Sequence, residues 1–399
     1  MDSSNRLKIA FVSEWGDVSN PVKRSGLPYF LVQNMRKYGI KVIPIVVNAS
    51  ARKWQQKIIS RLKKILYNKI LQGKFGFYNP ERSKEFLESY SKAVKENLIG
   101  INYDIIFCPG TLPVAYLDKF EKPLVIWLDA TFSNLYNYYP EFSGFHKASI
   151  EDAQKAERLA LSKASLLLFS SEWGASSAIN DYECPNQKVK VVPFGANFES
   201  EKSYSEIENI VMNRHKNICK LLFVGANWKR KGGEIVYQVC QELEKVNFQF
   251  ELHIVGVPNN YFKNDSNWLI NHGYLNKSKE GELKNIIHLF ENSHFFFMPT
   301  RYDASPHVYA EASSFGLPSL ATNTGGVSSV VRDEVNGKLF SYNTPIEEYV
   351  EYIITTFQNK QKYYNLCINS FVEYQKRLNW NSNIKLFLEY VNPIVQGRS

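Results

Sequence analysis

FFFMPTRYDASPHVYAEASSFGLPSLA, running from Phe295 to Ala321, decides the fold. Phe295 to Met298 is an uninterrupted apolar run, which suits a strand buried on both faces. Pro299 to Asp303 follows as a loop. Ser305 reads as a helix N-cap and Pro306 suits the first helical position, where its missing N–H costs little. The helix should run from Pro306 to about Phe315, with Gly316 closing it. Ser319 to Ala321 then resumes as a strand. A strand, a helix and another strand in so short a span make a parallel crossover unit.

The same alternation extends outward in both directions. Leu7 to Ser13 reads as a first buried strand. A helix from about Gly26 to Tyr38 comes next, with Pro28 early and Gly39 as its stop. Lys41 to Val47, Asp104 to Cys108, Leu124 to Leu128, Ser165 to Ser170 and Lys188 to Val192 are further short strands. The segment Pro193-Phe194-Gly195-Ala196-Asn197 and a polar stretch to Lys216 mark a domain boundary. A second series starts with Lys220 to Val224 and continues with Phe250 to Val255, Phe295 to Met298 and Ser319 to Ala321. Length supports two units, since 399 residues is long for one core. Two α/β domains facing across a cleft would hold a ligand at the carboxyl ends of their strands.

Composition is that of an ordinary globular chain, with 44% hydrophobic and 22% charged residues and a rich 14% of aromatics. Met1 to Arg6 lacks the basic and apolar regions of a signal peptide, and no apolar run reaches the roughly 18 residues of a membrane span. The five cysteines, Cys108, Cys184, Cys219, Cys240 and Cys367, are odd in number and far apart. They fit neither a disulfide framework nor a zinc site, so a reduced, cytoplasmic compartment is expected.

The charge is uneven. Residues 1–100 carry 19 Lys and Arg against 7 Asp and Glu, a net of +12, while the other 299 residues sum to −3. Between Ala51 and Pro80 stand Arg52, Lys53, Lys57, Arg61, Lys63, Lys64, Lys69 and Lys74 with no acid. Trp54, Ile58, Ile59, Leu62, Ile65, Leu66 and Ile70 recur among them at helical spacing, giving a basic amphipathic helix. Such a helix packs on its own domain or rests on an anionic membrane surface as a peripheral anchor. Nucleic acid is the weakest of the three, because no recognised binding fold accompanies the charge.

Several motifs are missing. There is no GxxxxGK[ST] phosphate loop, no GxGxxG after the first strand, no GxSxG, no HExxH and no Asp-x-Asp pair. No metal ligands and no bound cofactor are expected. Glycine-containing turns instead stand at three strand-to-helix junctions: Ser25-Gly26, Gly225 to Gly233 and Thr324-Gly325-Gly326. Exposed N–H groups at a helix start bind anions, and glycine lets a phosphate approach the backbone. Lys229, Arg230 and Lys231 add positive charge at the second turn, suited to a diphosphate. Asp303 lies just before the Pro306 helix, and Glu311 sits about one and a half turns into it. The two carboxylates hold sugar and ribose hydroxyls, or they are simply a residue placed near the helix dipole and a surface residue.

Asp303-x7-Glu311, followed by Phe315-Gly316-Leu317-Pro318, Thr324-Gly325-Gly326 and Asn336-Gly337, resembles the donor motif of retaining family-4 glycosyltransferases with the GT-B fold. Phe223-Val224-Gly225 with Arg230-Lys231-Gly232-Gly233 is similar to the basic element of that family, and Pro193 to Asn197 to its hinge-side segment. The resemblance implies two facing Rossmann-like α/β/α domains with an interdomain cleft. The acceptor-binding domain would span 1–197 and the donor-binding domain 198–377, with the C-terminal helix, about 378–399, returning to the first.

It also implies roles. Glu311 binds the donor ribose, Asp303 contacts the transferred sugar, and Arg230 and Lys231 neutralise the departing diphosphate. Gly26 and the Gly325-Gly326 turn approach the phosphates through backbone N–H groups, and Ser25, Gly225, Ser305, Pro306, His307 and Thr324 are further donor-binding candidates. His272-Gly273-Tyr274-Leu275 reads the base, and Asp129, after the strand ending at Leu128, contacts the sugar. The implied activity is retaining, metal-independent transfer of a hexosyl unit from a nucleotide-diphosphate sugar to a carbohydrate or lipid-linked acceptor, in surface polysaccharide or glycolipid synthesis. The alternatives are a catalytically weak nucleotide-sugar-binding scaffold and a nucleotide-sugar epimerase.

Three positions depart from the family pattern. Asp303 replaces the usual first Glu. Ala304-Ser305-Pro306, then His307, replaces Gly-Phe-Gly, which leaves Pro306 without an N–H to offer and makes His307 either a donor ligand or a helix-start residue. Ser329 stands where many relatives carry Glu.

Overall fold

The computed structural model describes residues 6–13, 18–21, 26–46, 58, 62, 65, 66, 76–118, 121–197, 202–262 and 266–397. They divide into two compact units: the first contains residues up to Val192 together with Ile384 onward, the second Pro193 to Asn383.

In the first unit, six parallel strands are β1 (Lys8–Ser13), β2 (Lys41–Val46), β3 (Ile105–Cys108), β4 (Leu124–Leu128), β5 (Leu166–Phe169) and β6 (Val189–Val191). Their order is β2-β1-β3-β4-β5-β6. Side chains alternate across this sheet, so the two faces have different neighbours. Ile106, Ile126 and Leu167 join one buried cluster. Phe107 and Trp127 point the other way and meet Phe387 of the helix Trp380–Val395, whose ring stacks on Trp127 at 6.0 Å and 8°. The indole of Trp127 donates to the Val192 carbonyl at 3.0 Å. These contacts tie the C-terminal helix to the first unit.

The second unit holds β7 (Cys219–Val224), β8 (Phe250–Val255), β9 (Leu269–Asn271), β10 (Phe295–Met298), β11 (Ser319–Thr322) and β12 (Gly337–Phe340). The order β12-β11-β10-β7-β8-β9 is that of a dinucleotide-type doubly wound sheet, with its reversal between β7 and β10. Every buried strand of the sequence reading is present within a residue or two of its expected ends. β9 and β12 were not anticipated: three or four residues among polar neighbours give too little periodicity. Gly337 has its own reason, since a Cβ there would lie 2.0 Å from the Ser319 carbonyl oxygen on the paired strand.

Two local expectations need correction. The helix after β10 runs only from His307 to Ser313, with Pro306 rather than Ser305 at the N-cap and no side-chain cap. Pro306 adopts an extended backbone, with ψ 94°, so the helix begins one residue later. The turn at Thr324 to Gly326 leads into a single 3-10 turn, Val327–Ser329, and not into a longer helix.

Pro193 to Asn197 belong with the second unit. Ala196 N–H donates to the Leu378 carbonyl at 2.9 Å, and the Trp380 indole donates to Asn197 Oδ1 at 3.1 Å. Gly195 is required there, because a Cβ would meet the Trp380 nitrogen at 2.5 Å. All five cysteines are buried as thiols. Among the described residues no helix is long and apolar enough to cross a membrane. Most of the basic segment 51–80 lies outside the described residues; Ile58, Leu62, Ile65 and Leu66 within it are exposed.

Candidate functional site

β7 and β10 are parallel neighbours, with Leu221 and Leu222 opposite Phe295 and Phe296, so the loops leaving their carboxyl ends emerge side by side. This is the reversal point of the sheet, where open α/β folds bind ligands. The first loop carries Gly225 to Gly232, the second Pro299 to Pro306.

Backbone contacts join the two loops. Arg301 N–H donates to the Arg230 carbonyl at 2.9 Å, and the Thr300 hydroxyl donates to the same oxygen at 3.2 Å. Gly232 permits the approach: at φ +78° its missing Cβ would stand 1.9 Å from the Pro299 carbonyl oxygen. Gly225 makes room on the other side, where a Cβ would touch the Lys231 stem at 3.0 Å. These glycines therefore shape the site, whatever else they contact.

Held in this way, the Lys231 ammonium donates to Asp303 Oδ2, and Arg230 Nη1 stands 3.7 Å from the same oxygen. Arg230 also donates to the Tyr302 carbonyl at 3.2 Å. Asp303 is buried, and its own carbonyl accepts from Gly326 N–H at 3.0 Å. The Gly326 amide is thus bonded to the Asp303 loop. Thr324 Oγ1 likewise donates to the Arg301 carbonyl at 3.4 Å. A second ion pair, Arg301 Nη2 to Glu234 Oε2 at 2.7 Å, braces the loop from the helix Gly233–Lys245.

Glu311 is not a surface residue. It is 2% exposed, and its Oε1 accepts from Lys277 Nζ at 2.6 Å. Lys277 lies in the turn after β9, just beyond Tyr274, which is exposed, and Leu275, which packs on the core. Nothing in the sequence singled out Lys277, because its partner is 34 residues away. His307 donates Nδ1–H to the Gly195 carbonyl at 3.3 Å and stacks on Phe194 at 5.4 Å. Burial holds its imidazole below the usual value, against the pull of that carbonyl and of Glu311 and Asp303. Ser305 is half-buried and Pro306 buried beside it.

The structure therefore gathers Arg230, Lys231, Asp303 and the Gly225 turn at one point, with Glu311 on the following helix. Gly26 lies in the first unit, where its left-handed φ of 86° caps the helix Leu27–Lys37. Asp129 also lies there, exposed just past the end of β4. Ser25 lies outside the described residues. Among the described residues no cluster of three or more His, Cys, Asp or Glu is arranged to hold a metal ion.

Two parallel doubly wound sheets of this kind are the GT-B architecture, and within the second unit residues 208–373 match the family model "Glycosyl transferases group 1". An uncharacterized 41.2 kDa protein in the cps region of Klebsiella pneumoniae is 21% identical over 187 residues, covering 47% of this chain and 50% of that protein. The match thus spans half the length of this curated relative. The fold is shared with sucrose-phosphate synthase from Thermosynechococcus elongatus, at TM-score 0.68 and 15% identity over 98% of this chain and 100% of that one. It is also shared with Anabaena Alr3699/HepE in complex with UDP-glucose, at TM-score 0.58 and 16% identity over 97% and 100%.

Proposed function

We propose that the chain is a retaining glycosyltransferase that moves a hexosyl unit from a nucleotide-diphosphate sugar to an acceptor hydroxyl. One observation carries the reading: Arg230 and Lys231 converge with Asp303 at the reversal point of the second sheet. Two cations fixed there suit a diphosphate, whose negative charge grows as the sugar bond breaks. The group 1 match and the likeness to a fold seen with UDP-glucose support the same reading.

In this mechanism the glycosidic C–O bond to the diphosphate breaks through an oxocarbenium-like state. The acceptor oxygen bonds to the anomeric carbon on the same face and passes its proton to the leaving diphosphate. No carboxylate nucleophile is needed, in contrast to the paired acids of retaining hydrolases. Lys231 and Arg230 hold the leaving group without a metal ion. Asp303 exchanges its ion pair for sugar hydroxyls as the diphosphate arrives, and Glu311 takes the ribose. The first unit, with Asp129 exposed just past the end of β4, is taken to receive the acceptor.

The basic segment 51–80 is proposed to rest on an anionic membrane surface, placing the protein peripherally on the cytoplasmic face in surface polysaccharide or glycolipid assembly. Its exposed Ile58, Leu62, Ile65 and Leu66 suit that contact.

The deciding assay offers UDP-, GDP- and ADP-hexoses with a panel of glycan and lipid-linked acceptors and follows products by NMR. A glycoside with the anomeric configuration of the donor is the expected product. An inverted product would overturn the retaining mechanism. Binding of a donor with no transfer to any acceptor would favour a scaffold, and conversion of one free sugar nucleotide to another an epimerase.

A further inference from the structure

Glu311 poses a physical problem that the donor reading leaves open. Glu311 is 2% exposed, and a polar side chain so buried needs a fixed hydrogen-bond partner. To accept hydrogen bonds from two vicinal hydroxyls it must be held in one orientation.

We infer that Lys277 is the positioning residue that makes Glu311 a receptor for a ribose 2′,3′-diol. Its ammonium bonds Glu311 Oε1 at 2.6 Å, supplying both the counter-charge and an anchor on one oxygen. That bond on one oxygen leaves the other oxygen and the remaining lone pairs for the hydroxyls of a ligand. This rests on the donor-binding reading of the site and extends it to a residue outside the motif.

The turn that carries Lys277 is itself fixed. Asn276 N–H donates to Glu282 Oε2 at 2.6 Å, Ser278 N–H to Asn276 Oδ1 at 2.9 Å and Lys279 N–H to the Asn276 carbonyl at 3.0 Å. Glu282 stands on the helix Glu280–Asn292. The Lys277 side chain is 36% exposed, so its loss opens no large core cavity. The ammonium is therefore presented from a stiff turn to a stiff helix, an arrangement that favours preorganisation over a chance surface pair.

The test compares binding of UDP, GDP and ADP with that of their 2′,3′-dideoxy counterparts, by calorimetry on the full chain. The wild type, Lys277→Ala, Lys277→Gln and Lys277→Arg are measured side by side, with circular dichroism as the folding check. For the ribonucleotide bound best, Lys277→Ala and Lys277→Gln should each weaken binding about tenfold to a hundredfold, the dideoxy counterpart changing by less than about twofold. Lys277→Arg should keep most of the preference for the diol. Equal losses for both nucleotides, or no loss, would overturn the inference. So would an Arg variant no better than Ala. If the wild type binds none of the three diphosphates, the donor reading falls, and this inference with it.

Discussion

Lys231 and Asp303, 72 residues apart in the chain, form an ion pair at the carboxyl ends of β7 and β10. The cation proposed for the leaving diphosphate is therefore already engaged by the carboxylate proposed for the sugar. Ligand entry must exchange one partner for another, and variants on the two sides should behave differently.

Removing the cation tests catalysis. Lys231→Ala should lower turnover by about two to three orders of magnitude, the usual effect of losing one charge-stabilising donor. Single-turnover rates at saturating donor measure it, and a rate near wild type would rule out the assignment.

The carboxylate side should separate binding from chemistry. Asp303→Asn removes the competitor for Lys231, so a free nucleoside diphosphate should bind about fivefold to tenfold more tightly. Transfer should nevertheless fall, because the sugar loses its acceptor group. Weaker diphosphate binding in this variant would mean that Asp303 acts mainly to place Lys231.

Arg214 offers a stability test within the second unit. It is 4% exposed, and its guanidinium donates to the carbonyls of Glu291, Phe315 and Gly316, to the Tyr363 hydroxyl and to Cys367 Sγ. Phe315 and Gly316 close the helix that carries Glu311. Arg214→Ala strands those buried carbonyls and should cost about 3–5 kcal/mol, read from urea unfolding midpoints.

Acid sensitivity should follow from His294. Burial, and then the charge of Arg214, push its imidazole down to about 3 from the usual 6.5. Its Nδ1 accepts from Lys220 N–H, so Nε2 keeps the proton and donates to the His215 carbonyl. The unfolded chain takes up a proton near pH 6.5 that the folded chain refuses. Stability is whole above that pH and declines as pH falls toward 3, by about 1.4 kcal/mol per unit for this group. His253, His272 and His307 are also held low and add to the slope. Denaturant midpoints between pH 7.5 and 5 should fall, and less steeply in His294→Gln; equal slopes would remove His294 as a cause.

The membrane reading is tested by vesicle flotation. Wild type should float with vesicles containing about 30% phosphatidylserine and less with neutral ones, and Lys63→Gln with Lys64→Gln should reduce the difference, each charge being worth about 1 kcal/mol near such a surface. Unchanged flotation would leave the segment as an ordinary surface helix.

By itself the sequence determined the α/β class and most of the elements, because those depend on neighbours in the chain. The runs Phe295 to Met298 and Leu124 to Leu128 are apolar throughout, as strands buried on both faces must be, and they appear at those bounds. Pro306 marked a helix start to within one residue. The Asp303-x7-Glu311 spacing identified both acids without showing what either touches. Tertiary structure alone decided that Lys231 meets Asp303 and Lys277 meets Glu311, since each pair depends on which strands lie side by side. It also decided that Gly232 serves a carbonyl approach and that His307 turns toward Gly195. A charge leaves no periodic trace of its partner in the chain; only the parallel pairing of β7 with β10, and the turn beyond β9, bring these groups within reach.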